Sequence, residues 1–65
     1  VMHGVVVEFD EAAGLGAVDG DDGTRYDFHC VEIADGTRAI PVGAHVTFRP
    51  LPKLGRIEAA ALERP

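Results

Sequence analysis

Short runs of β-branched and aromatic residues alternate along this chain with clusters of glycine, aspartate and proline. The first run is His3-Gly4-Val5-Val6-Val7-Glu8-Phe9. Its consecutive valines suit a pleated strand and disfavour helix, because branching at Cβ restricts χ1. Apolar and polar positions do not alternate cleanly here, so a bulge or a partly covered second face is expected. Asp10 to Gly14 is a polar connection ending in glycine, the mark of a short hairpin loop. Leu15 to Asp19 reads as a second strand, with Gly14 and Gly16 on one face and Leu15 and Ala17 on the other. Glycine inside a strand marks a bend, a bulge or the close approach of other atoms. Asp19-Gly20-Asp21-Asp22-Gly23 is a turn rather than a calcium loop, since it lacks that motif's glycine position and distal glutamate.

Thr24 to Cys30 predicts a third strand, with Tyr26 and Phe28 on the core face and Asp27 and His29 on the other. Val31-Glu32-Ile33 suggests one helical turn, with Ile33 closing an end of the core. Ala34 to Arg38 is a loop and Pro41-Val42-Gly43 a turn. Ala44 to Arg49 reads as a fourth strand, with Val46 and Phe48 inward and His45, Thr47 and Arg49 outward, stopped by Pro50-Leu51-Pro52. In Arg56 to Leu62 the alanine run favours helix on propensity, but an isolated helix that short is marginal. A fifth strand is the preferred reading. Five short strands with turns between them predict an all-β, five-stranded antiparallel barrel, and closure removes exposed sheet edges.

A chain of 65 residues makes one domain, residues 1–65. A domain of this size buries only about 60% of its unfolded surface, so its stability margin is thin. No apolar run approaches the roughly 18 residues of a membrane helix, and no basic stretch followed by an apolar core suggests a secretory leader. Cys30 is the single cysteine, which excludes an internal disulfide and a cysteine-rich zinc site, and makes a reduced, cytoplasmic setting the expectation. Net charge is −5 and unevenly spread. Glu8, Asp10, Glu11, Asp19, Asp21, Asp22 and Asp27 crowd the first part of the chain, whereas Gly36 to Ile57 holds Arg38, Arg49, Lys53 and Arg56 and no acid. The basic stretch is read either as ordinary solvated surface or as a functional edge.

Gly14-Leu15-Gly16-Ala17-Val18, followed by Tyr26-Asp27-Phe28-His29-Cys30, resembles the paired nucleic-acid-binding motifs of cold-shock domains. Members of that family carry approximately Gly-Phe-Gly-Phe-Ile and Val-Phe-Val-His-Phe there. The resemblance runs from residue 2 to about residue 62. It includes Met2-His3-Gly4, Phe9-Asp10, Gly14, Gly16, His29, Ile33, Gly43, Val46, Phe48, Gly55 and Ala59-Ala60. It implies an OB-type barrel that binds single-stranded RNA or DNA by stacking bases on exposed aromatics flanked by lysines. This chain departs from that platform: Glu8, Leu15, Ala17, Asp27 and Cys30 stand at its aromatic positions, and Val7 and Ala13 at its lysines. Base–aromatic stacking contributes roughly 1–3 kcal/mol per base, so five losses remove about 5 kcal/mol at the low end. A micromolar binder has about 8 kcal/mol in total.

Two functional readings follow, neither enzymatic and neither requiring a cofactor or metal. The preferred one is a diverged regulatory or interaction module with weak or altered nucleic-acid binding, meeting a protein partner or a second copy through Val7, Leu15, Ala17, His29 and Cys30. The other is a genuine single-strand RNA or DNA binder using Phe9, His29, Arg38, Lys53 and Arg56. The chain has no serine, no phosphate-cradling glycine loop and no zinc spacing among His3, His29, His45 and Cys30, so catalysis and metal binding have little support.

Overall fold

The computed structural model describes residues 1–64. The chain forms β1 (Met2–Asp10), β2 (Leu15–Gly20), β3 (Arg25–His29), a 3-10 turn η1 (Cys30–Glu32), β4 (His45–Lys53) and β5 (Arg56–Glu63). The strands close into a barrel in the order β1-β2-β3-β5-β4. Four of the five pairings are antiparallel. The fifth, β3 with β5, is parallel and rests on one residue pair, Asp27 beside Glu58, so the expectation of a wholly antiparallel barrel is corrected. The reason is topological: η1 and the long loop after it carry the chain across one end of the barrel before β4, and the β4–β5 hairpin returns β5 in the same direction as β3. A second parallel bridge, Ile33 with Leu62, ties the end of η1 to β5.

The core is built from inward-facing residues of every strand. Phe28, Phe48, Leu62, Val6, Val18 and Val46 are its largest fully buried side chains. Burying each stabilises the fold by roughly 1.5–3 kcal/mol. Tyr26, Ile33, Ile40, Ala44 and Ala59 complete the cluster, as the alternation in β3 and the placing of Ile33 predict for the first two. Gly16 is one of the two glycines, with Gly4, where the packing is tightest. A methyl group at Gly16 would lie 2.5 Å from the Phe28 ring and 2.8 Å from the Glu8 carbonyl. The bare backbone lets Phe28 cross beneath β2 and stack on Phe9, with ring centroids 6.1 Å apart and 13° between the planes.

Two bulges set which side chains face outward. In β1 the register slips between Val6 and Glu8, leaving Val7 as the extra residue. The slip reverses the alternation, so Val6 and Phe9, three apart, both turn inward while Glu8 and Asp10 turn outward. In β5 the slip opposite Phe48 falls at Ala61, which adopts φ +53°. The amide of Ala61 donates to Glu32 Oε1 at 3.2 Å, so η1 supplies the acceptor that the disrupted ladder no longer provides.

β4 does not stop at Pro50. It runs on through Lys53 as one arm of a hairpin with β5, having left β1 at Phe48. Pro50 pairs with Ala59 and Pro52 with Ile57. A proline is tolerated in a ladder where its nitrogen turns away from the partner strand. Arg49, Leu51 and Lys53 then aim their amides at β5, and the outer edge of the arm presents carbonyls without N–H groups.

The β2–β3 turn is held by Asp22, which accepts the Tyr26 hydroxyl at 2.7 Å and the Thr24 amide at 2.9 Å. These bonds, the tyrosine's first, hold the Asp22 carboxyl below its ordinary 3.8, and the bond to Asp22 pushes the Tyr26 phenol above 10.0.

Two outcomes are expected in denaturant unfolding. Gly16→Ala should destabilise the barrel by roughly 1–3 kcal/mol, the usual cost of overpacking a tight site. For the turn, the contribution of Asp22 is complete above its unfolded pKa and falls away as pH drops through the lowered folded value. That of Tyr26 is complete below its unfolded pKa and is lost as pH rises through the raised folded value. Tyr26→Phe should therefore abolish the alkaline loss and shrink the acid loss, read from the urea midpoint across pH.

Candidate functional site

The outer face of β1, β2, β3 and β5 carries one row of residues fixed by register. Glu8 pairs with Ala17, Ala17 with Asp27, and Asp27 with Glu58. Three carboxylates thus stand side by side across four strands, interrupted by a single methyl group. The neighbouring row is Asp10, Leu15 and His29. Between and around them lies an open depression of about 350 Å³, lined also by Ala13, Gly16, the edge of Phe28, and Arg56.

Arg56 is the cation that answers this charge. Its Nη1 lies 3.6 Å from Asp27 and its Nε 3.3 Å from Glu58. Glu58 is 8% exposed, although its strand position faces outward. A carboxylate so covered is costly unless a cation holds it. Arg56 therefore serves the structure first: it bridges the two acids that meet at the parallel seam. Arg25, on the adjoining row, is engaged by Asp19 at 2.8 Å.

The expected nucleic-acid residues do not form one surface. Phe9 is half-buried against the core and stacked on Phe28, so its ring is not an open platform; the Val7 bulge turned it inward. His29 is exposed beside Leu15, as its place on the same face of β3 as Asp27 predicts. Lys53 and Arg56 face each other across the β4–β5 hairpin. Arg38 lies elsewhere, in the loop that the Ala34 amide anchors to the Leu62 carbonyl at the far end of β5. Its φ is +60°.

The expected protein-contact residues also part company. Leu15 is 46% exposed and stands at the depression with His29. Ala17, on the same outer face between Glu8 and Asp27, is only 3% exposed. Cys30 is half-buried against the core, and its backbone amide is bonded to the Gly14 carbonyl at 2.8 Å. Val7 opens into a different, shallower depression beside His3, Val5, Asp19 and His45. What the strand pattern missed is Glu58. The signal was available, since Arg56 and Glu58 share a face of β5 by the two-residue period, but their neighbour Asp27 becomes visible only with the parallel pairing.

Among the described residues no group of three or more histidine, cysteine, aspartate or glutamate side chains is placed to hold a metal ion. No described helix is long and apolar enough to cross a membrane. Compared with protein-family models and with curated proteins, the chain matches none.

Removing the bridging cation should cost more than the roughly 0.2–1 kcal/mol of an exposed pair, because Glu58 stays covered, and less than the roughly 3–5 kcal/mol of a fully buried pair. Arg56→Ala is expected to destabilise by about 1–2 kcal/mol, and adding Glu58→Gln should recover part of that loss. Chemical denaturation of the single and double variants measures both.

Proposed function

We propose that this chain is a non-enzymatic interaction domain on a cold-shock-like, OB-type scaffold, in which the face that would stack bases has become an acidic protein-contact surface. The strand order β1-β2-β3-β5-β4, the 3-10 turn between β3 and β4, and the close packing of Gly16 on Phe28 support the scaffold. The observation that carries the function is the row Glu8–Ala17–Asp27–Glu58. A single strand laid on it would bring phosphates against carboxylates and find no open aromatic ring beneath its bases. Lys53 and Arg56 adjoin this face, but Arg56 is engaged with two acids, so releasing it to phosphate would leave Glu58 without its cation.

The test is a fluorescence-anisotropy titration of labelled oligo-dT and oligo-U at low and at physiological salt. The expected result is no saturable binding up to about 100 μM, equivalent to less than about 5.5 kcal/mol of affinity. Micromolar binding that weakens steeply with salt, and is lost in the paired substitution Lys53→Ala and Arg56→Ala, would replace this reading with the single-strand binder.

A further inference from the structure

Resting on that reading, the face also indicates what chemistry its partner brings. Four carboxylates (Glu8, Asp10, Asp27 and Glu58) converge on the depression against one guanidinium, Arg56. They come from three different strands, so the sheet register and not a mobile loop holds them together. Leu15, 46% exposed, and Ala13 supply apolar surface at the same depression. Its volume of about 350 Å³ lies at the lower end of the roughly 300–1,000 Å³ of ligand pockets, a size suited to side chains and not to a folded domain. Lysine and arginine combine an aliphatic stem that packs on apolar surface with a cationic head that seeks carboxylates.

We propose that this face docks a lysine- or arginine-bearing extended segment of a partner protein, with the stems against Leu15 and Ala13 and the cationic heads at Glu8 and Asp10, since Asp27 is already bridged by Arg56. Glu58 and Arg56 form the closed inner side. Their ion pair is already made, so the exposed acids nearer β1 offer the free charge. Charge complementarity selects the occupant: an acidic or neutral segment meets the same desolvation cost with no opposing charge, and nucleic acid meets repulsion.

The probe is a fluorescein-labelled alternating lysine–alanine peptide, with an alternating glutamate–alanine peptide as its counterpart. The lysine peptide should bind saturably at low salt and the glutamate peptide should not. Amide shifts in NMR spectra should concentrate on Glu8, Leu15, Asp27 and Glu58. Glu8→Gln with Asp10→Asn should weaken binding about tenfold or more, since two exposed charges within a Debye length of the ligand are removed. Both residues are exposed, and asparagine keeps the side-chain oxygen that accepts the Ala13 amide, so the fold should be retained; the NMR spectrum verifies it. Asp21→Asn with Glu63→Gln removes the same net charge from other faces and should leave binding nearly unchanged. Absence of lysine-peptide binding, equal loss in both double variants, or shifts centred on another face overturns the docking site. If the oligonucleotides also fail to bind, the interaction-domain reading survives without it; if they bind instead, that reading falls first.

Discussion

The barrel depends on a seam where two strands run parallel and touch at a single residue pair, Asp27 and Glu58. Elsewhere the sheet is a series of antiparallel ladders, each with several paired residues. At the seam the ladder contributes little, and closure relies on the core beneath it and on the charges above it. Beneath lie Phe28, Ala59 and Leu62, and the Ile33–Leu62 bridge extends the contact toward η1. Above, two acids that would repel each other are held by Arg56. The same residues that complete the barrel thereby define its most charged external face, so scaffold and surface cannot be varied independently there.

Phe9 shows how a local irregularity redistributes chemistry. One extra residue in β1 sends its ring to the inner side of the sheet, where Gly16 leaves room for Phe28 to reach it. Without the bulge, Glu8 and Phe9 would exchange faces. An aromatic ring would stand outside and a carboxylate would point at a core of phenylalanine and valine. The acidic character of the outer face and the aromatic packing inside it are thus two results of one register shift.

Much of this architecture is legible in the residues. The valine run, the paired aromatics of β3, the Asp-Gly turn and the inward Val46 and Phe48 follow from β-branching, two-residue alternation and turn chemistry. Even the bulge announces itself as broken alternation, although not at which residue the faces exchange. The rest depends on partners distant in sequence. Pro50 and Pro52 look like a stop because a central strand cannot hold them, and only an arm with one free side accommodates both. Ala17 reads as surface from its parity, but between Glu8 and Asp27 it is almost fully covered. Glu58 looks like an ordinary solvated acid until β5 is laid beside β3. Arg38 and Arg56 belong to one basic stretch of sequence, and the loop after η1 places them at different ends of β5.

The β4 arm has a consequence for the protein in crowded surroundings. Its outer edge offers acceptors alone, so a second strand approaching it would find no donor for its own carbonyls over the length of Arg49 to Lys53. With Leu54 fully exposed at the tip and Ile57 half exposed beside it, an ordinary edge here would invite end-to-end growth of one barrel onto another. The two prolines make that growth self-terminating. A chain whose regular structure is nearly all strand is in this way shielded from templated fibril extension at its most accessible apolar point.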